Sequence, residues 1–256
     1  MTFNISNILD LASGSKKRQF VLVTRDSFTD STFVFADILS CYSKQNYSFI
    51  IVNLSQSYNH YNHVLLKSGV NVRSLNDQQR IKFVSVLSDA EKLDENDSQH
   101  LLNPHLDCSN VNYLNHLYFS IKEATEIMTS TDKLNGFVIF VDDINVLLNL
   151  GISVNCIQSF LLYLYSLCMN ETSHPGVLFM GAINDDCQES SVELLNYVSH
   201  LVDVKIQVEY LETGCSKETD GKITLEQKCK ATCSSKKQKM YFKIYDKGAK
   251  ILALGL

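Results

Sequence analysis

Two adjacent carboxylates, Asp142 and Asp143, close the apolar run GFVIFV that begins at Gly136. At the tip of a buried strand in a nucleotide-hydrolysing protein, such an aspartate holds Mg²⁺ against bound nucleotide. That chemistry also requires a phosphate loop after the first strand, G-x-x-x-x-G-K-[ST], whose glycines bare backbone N–H groups and whose lysine neutralises the phosphates. The first strand-like run is FVLVT from Phe20, and the turn after it, Arg25 to Phe35, contains neither glycine nor lysine. With Asp30, Ser31 and Thr32 in the places of the motif's closing Gly-Lys-Thr, the lysine slot holds Ser31, and only the hydroxyl of Thr32 survives. Asp26 and Asp30 put negative charge where a triphosphate would bring more, and like charges in a partly desolvated pocket repel strongly. Arg25 offsets one of them. The expectation for Asp142 and Asp143 is therefore a structural one, capping a helix that starts near Ile144, and no catalytic, nucleotide-binding or metal site and no cofactor is expected.

Other clusters carry less. Cys229 and Cys233 stand four apart, but no second Cys/His pair with zinc-site spacing follows. His60 and His63 stand three apart, without the glutamate and four-residue spacing of a zinc hydrolase helix. The eight cysteines include no C-x-x-C pair, and the first residues show no basic segment ahead of an apolar one, so reduced thiols in an intracellular protein are expected.

The elements that must position the carboxylates are legible as apolar runs separated by helical patterns. The runs are FVLVT at Phe20, YSFIIVNL at Tyr47, IKFVSVL at Ile81, GFVIFVDD at Gly136, GVLFMGAI at Gly176 and LVDVKIQV at Leu201. Continuous apolar character means burial on both faces, which predicts an α/β fold with a largely parallel central sheet flanked by helices. Between the runs, Val111, Leu114, Leu117, Tyr118, Ile121, Ala124, Thr125 and Met128 repeat at three and four, one face of an amphipathic helix. Val154 to Met169 is apolar on nearly every face, so that helix either lies deep in the fold or meets another subunit. Residues 88–107 are polar and acidic and carry Pro104, which predicts an inserted surface loop. After Tyr210 the pattern changes to KITLEQK and MYFKIYDKGAKILALG, antiparallel hairpins with a tight turn at Lys247-Gly248. With 256 residues, 45% hydrophobic and 20% charged, the chain suits one domain spanning 1–256. No apolar run approaches the roughly 18 residues of a membrane span, so no membrane partner is expected.

Three stretches resemble the Elongator complex protein 6 family: SQSYNHYNHVLLKSGV from Ser55, VIFVDDINVLLNLGIS from Val138, and YFKIYDKGAKILALGL from Tyr241. Their order and spacing agree with that family, together with the degenerate first turn. The resemblance implies a RecA-like P-loop NTPase fold without a functional P-loop. It implies assembly with Elongator proteins 4 and 5 into a heterohexameric ring, association with the remaining Elongator subunits, and binding of tRNA by the ring. The modification of the wobble uridine would belong to another chain. The expected location is the cytoplasm, with the nucleus as an alternative.

Charge is polarised along the chain. From Cys215 to Lys250 there are ten lysines against four acids, whereas the preceding 214 residues hold 13 basic and 24 acidic side chains. Lys228, Lys230, Lys236, Lys237 and Lys239 crowd an expected loop at 228–239, which suits either phosphate contacts with tRNA or a solvated hairpin loop. The acids Asp185, Asp186 and Glu189 in the turn Asn184–Ser191 argue against phosphate contact there. The competing function is an ATPase or kinase with an unconventional phosphate site at Arg25, Ser31, Thr32 and Asp142.

Overall fold

The strands that build the centre are buried on both faces because nearly every side chain in them is apolar. In the computed structural model, which describes residues 18–85, 111–130, 134–169, 174–211, 216–229, 234–246 and 248–253, they are β1 (Gln19–Arg25), β2 (Tyr47–Asn53), β4 (Gly136–Val141) and β5 (Gly176–Ile183). The short β3 (Ile81–Ser85) lies at one edge, and β6 (Val204–Tyr210), β7 (Gly221–Cys229), β8 (Ser234–Tyr245) and β9 (Gly248–Ala253) extend the other side. The sheet order is β3-β2-β4-β5-β1-β6-β7-β8-β9. Pairs from β3 to β6 are parallel, and β6 to β9 are antiparallel.

Helices cover both faces of the parallel half. On one side, α1 (Thr32–Lys44), α2 (Tyr58–Lys67) and α3 (Val72–Asp77) join a core with Val21, Val23, Val138 and Phe140. On the other, α4 (Val111–Thr129), α5 (Asn145–Asn149), α6 (Val154–Met169) and α7 (Glu189–Leu201) pack on Phe20, Leu22, Phe137 and Ile139. Successive residues of β1 and β4 thus feed opposite cores, as the two-residue period of a strand dictates. Among the described residues, no helix is long and apolar enough to cross a membrane.

Several expectations are refined. β6 alternates buried and half-buried positions instead of running continuously apolar, because only its Val204, Ile206 and Val208 face reaches a core. α6 lies on the sheet and not within a ring of cover: Ile157, Phe160, Leu161, Leu164 and Cys168 are buried, while Leu162 and Tyr163 are 45% and 56% exposed. Gly248 belongs to β9 and not to the turn, since it pairs with Tyr245, and Lys247 lies outside the described residues. Gly248 takes a φ of 132°, open to glycine and strained for other residues. The expected loop at 88–107 lies outside the described residues.

The antiparallel half is tied to the first core through Phe242, which is 1% exposed and stands 4.9 Å, centroid to centroid, from Phe33 at the start of α1. Replacing Phe242 with alanine is expected to lower unfolding stability by about 3–5 kcal/mol, measured as a drop in the urea midpoint.

Candidate functional site

Loops after β1, β2 and β4 converge at the carboxyl ends of the parallel strands, where α/β sheets ordinarily place ligands. They enclose an open pocket of about 310 Å³ lined by Arg25, Asp30, Thr32, Ser55, His60, Tyr61, Asp142 and Asp143 among others. The sequence-predicted pairs Asp30–Thr32 and Asp142–Asp143 are therefore brought together.

The carboxylate of Asp142 is the hub. Leu54 N–H donates to its Oδ1 at 2.7 Å, and Ser55 N–H and Gln56 N–H donate to its Oδ2 at 2.9 and 3.0 Å. The hydroxyls of Ser55 and Tyr61 each donate to Oδ2 at 3.0 Å, and Asp143 N–H donates to Oδ1 at 2.8 Å. A carboxylate offers about four lone-pair sites, so these donors saturate it. Three successive N–H groups on the turn after β2 form the kind of concavity that holds an anion, and the anion here is a side chain of the neighbouring strand. Burial raises the Tyr61 hydroxyl far above its ordinary range, with the adjacent Asp142 charge adding to it, so Tyr61 remains a proton donor.

The turn after β1 is likewise tied from within. Asp26 accepts N–H bonds from Phe28 and Thr29 through Oδ1 and from Tyr210, the last residue of β6, through Oδ2. Burial alone would raise its pKa, but the N–H of Tyr210, the Thr29 side chain and the N–H groups of Phe28 and Thr29 together outweigh burial and hold it below the usual carboxylate value. Asp30 accepts from both the N–H and the hydroxyl of Thr32, the first residue of α1. The Thr32 hydroxyl is thus bonded to the carboxylate two residues before it.

Asp143 behaves differently. Its side chain is nearly buried, accepts the N–H of Asn145 at 3.0 Å and stands 3.6 Å from the guanidinium of Arg25. The N-cap of α5 is Ile144, which makes no side-chain cap bond; Asp143, one residue before it, accepts the N–H of the first helical residue, whereas Asp142 anchors a loop across the sheet. Burial pushes Asp143 up to about 6; Asn145 N–H and Arg25 oppose the rise and the Asp142 charge adds to it. Beside the pair, Asn145 is a positioning residue that composition did not single out: its amide donates to Ser191 Oγ at 2.7 Å and its oxygen accepts Ile183 N–H at 2.9 Å, joining α5 to α7 and β5. Gly181 permits the close approach, since a Cβ there would lie 1.9 Å from the Asp142 carbonyl oxygen.

The arrangement can hold its own loops rigid, but its N–H donors are largely consumed and its one guanidinium already faces Asp143. Among the described residues, no group of three or more His, Cys, Asp and Glu side chains is placed to share a metal ion.

Four of the five lysines lie in strands and not in a loop. Lys228 lies in β7 and Lys236, Lys237 and Lys239 in β8, strands formed because KITLEQKC and SSKKQKMYFKIY continue one antiparallel register. Lys228 Nζ donates to the carbonyls of Ser199 and His200 at the end of α7, where a cation complements the helix dipole. Lys237 pairs with Glu226 at 3.1 Å. Lys236 shares a face with the core residue Phe242, opposite to Lys237 and Lys239. Lys230 lies outside the described residues.

A family model described as Elongation complex protein 6 matches residues 3–246. A protein from Mus musculus named Elongator complex protein 6 is 26% identical over 258 residues, covering 98% of this chain and 97% of its own length. Proteins of the same name from Homo sapiens and Xenopus laevis are 25% and 29% identical, covering 100% and 90% of this chain and 98% and 89% of their own lengths.

Two predictions follow from the pocket. Asp142→Ala orphans the N–H groups of Leu54, Ser55 and Gln56, and stability is expected to fall by roughly 3 kcal/mol, at 1–3 kcal/mol per orphaned donor less what rehydration recovers; Asp142→Asn, which keeps an acceptor, should fall between it and the parent in chemical denaturation. Asp143 binds its proton more tightly folded than unfolded, so its contribution to stability is complete below the ordinary value of 3.8 and lost as pH rises through about 6. Asp143→Asn is accordingly expected to raise the melting temperature above pH 6, with the gain shrinking towards pH 4.

Proposed function

The chain belongs to the Elongation complex protein 6 family, and on that premise we propose that it is a non-catalytic structural subunit of the Elongator complex. In this reading it is a RecA-like domain without a working phosphate loop, one domain across 1–256. It assembles with Elongator proteins 4 and 5 into a heterohexameric ring that binds tRNA in the cytoplasm. The ring supports carboxymethyl-type modification of the wobble uridine, U34, and the chemistry resides in another Elongator subunit.

The observation that carries the reading is the Asp142 carboxylate seated on the N–H groups of Leu54, Ser55 and Gln56. A site evolved to grip phosphate presents such donors to the ligand; here, and again at Asp26 and Asp30, they are spent on the fold. An arriving triphosphate would meet Asp30, Asp142 and Asp143 against the single cation Arg25. Phe119, Leu162 and Tyr163, exposed on α4 and α6, are apolar area suited to cover by a neighbouring subunit.

Co-expression with Elongator proteins 4 and 5 is expected to yield one co-purifying assembly, and titration of the isolated chain with Mg-ATP to release no binding heat. A well-folded monomer that ignores both partners would overturn the assembly. Saturable heat abolished by Arg25→Ala or Thr32→Ala would establish the ATPase or kinase alternative.

A further inference from the structure

The segment that leaves β1 treats its aromatic residues unequally. Phe33 and Phe35, on the first turn of α1, pack against the first core, whereas Phe28 is 88% exposed, the most open large apolar side chain among the described residues. A lone exposed apolar residue is ordinary on a protein surface. Phe28 is set apart by the backbone that carries it. Oδ1 of Asp26 accepts the N–H groups of Phe28 and Thr29 at 3.0 and 2.8 Å, and its Oδ2 accepts Tyr210 N–H at 2.7 Å. The hydroxyl of Thr29, a buried residue, donates to the Val208 carbonyl at 3.2 Å, and Asp26 N–H donates to the same oxygen at 3.3 Å. The turn is thus fastened to β6 on both sides of Phe28, with Thr29 directed inward and Phe28 outward.

A ring presented in this way is prepared for contact. Aromatic side chains offer roughly 150–250 Å² for burial and are enriched at the cores of protein interfaces. A backbone already fixed in one conformation removes much of the ordering cost that opposes association. Charge identifies the occupant. The turn itself carries Asp26 and Asp30. β5 lies beside β1, and Asn184 N–H donates to the Arg25 carbonyl, so the turn after β5, with Asp185, Asp186 and Glu189, leaves the sheet next to it. Hydrogen bonds hold Asp26 in its ionised form, and Asp30, Asp186 and Glu189 are exposed. Arg25, the cation of this end, faces Asp143. Nucleic-acid phosphates would be repelled here, which disfavours a stacked base as the occupant. A second copy meeting the first through the same turn would bring the same acids. A protein surface with an apolar recess and basic side chains around it is complementary.

We propose that Phe28 is the anchor of a contact with a different subunit, its ring entering an apolar recess whose surrounding basic side chains meet Asp30, Asp186 and Glu189. The inference rests on the assembly with Elongator proteins 4 and 5 proposed above, and it assigns the turn after β1 as one of this chain's contact faces.

The test uses the full chain co-expressed with Elongator proteins 4 and 5. Phe28→Ser is expected to raise the concentration at which the assembly dissociates on dilution by about tenfold or more, read by mass photometry, while the urea midpoint of the isolated chain stays unchanged. Asp186→Lys should weaken the assembly in the same direction, by a factor that shrinks with added salt. Trifluoromethyl-phenylalanine in place of Phe28 reads the ring itself in an otherwise unaltered chain. Its fluorine resonance should shift between light and heavy water in the isolated chain and lose most of that shift in the assembly. Assembly of the Phe28→Ser variant at parental strength, or a resonance that stays open to solvent in the assembly, would overturn the proposal. So would a resonance already shielded in the isolated chain, by its own residues or by a second copy. Shielding of the ring by tRNA added to the isolated chain would also overturn it, since the turn would then be a stacking platform. If the parent chain forms no assembly with Elongator proteins 4 and 5, the subunit reading fails and the anchor fails with it; an assembly that is indifferent to Phe28 removes the anchor alone.

Discussion

The carboxylate of Asp142 joins two loops that belong to different strands, and the pocket end of the molecule depends on it. β2 and β4 are neighbours in the sheet, so the tip of one lies beside the turn that leaves the other. Three N–H groups on that turn have no helix or ladder partner; that of Leu54 is part-buried, where an unpaired donor costs free energy comparable to a lost hydrogen bond, and those of Ser55 and Gln56 lie at the exposed rim. Asp142 satisfies them together with Tyr61, the buried ring on α2 that packs edge-on against Phe35, itself stacked on Phe140. One side chain thus connects a strand tip, a turn and a helix, and the apolar stack beneath it fixes the distance between them.

The same solution recurs across the pocket. Asp26 ties the β1 turn to Tyr210, and Asp30 holds the first residue of α1, so three carboxylates do internally what a bound phosphate does in a nucleotide site. The difference is thermodynamic. A phosphate contributes its binding energy only when present and makes loop order depend on nucleotide, whereas a covalently attached carboxylate is present at every concentration. Loops held this way are fixed in one arrangement. Order of this kind does not vary with the concentration of any ligand.

Much of the scaffold was legible because burial on both faces leaves continuous apolar runs. FVLVT, YSFIIVNL, GFVIFVDD and GVLFMGAI became β1, β2, β4 and β5, and the three-four stripe from Val111 became α4. The missing glycine and lysine after β1 were equally plain. What could not be read was which turn would meet Asp142, because strand order depends on crossovers that periodicity does not encode. Ser55, Gln56 and Tyr61 therefore emerged only with the fold, although a serine-rich turn on the neighbouring strand is the signal that could have pointed to them. The lysines were misplaced for a different reason. Clustered charge resembles a solvated loop, yet an antiparallel strand with one open face tolerates lysine at alternate positions, and Met240 and Phe242 keep that strand in register.

The division between the two halves of the sheet has a consequence for association. The formal net charge of the chain is −5, but its antiparallel extension is lysine-rich and its parallel half carries the acidic pocket. A molecule charged in this way orients as it approaches others, because complementary potentials steer encounters and like potentials suppress wrong ones. Two identical copies that meet through their antiparallel extensions oppose lysine with lysine, whereas a surface of the opposite charge meets no such barrier, so the charge division favours encounters between unlike regions over encounters between like ones.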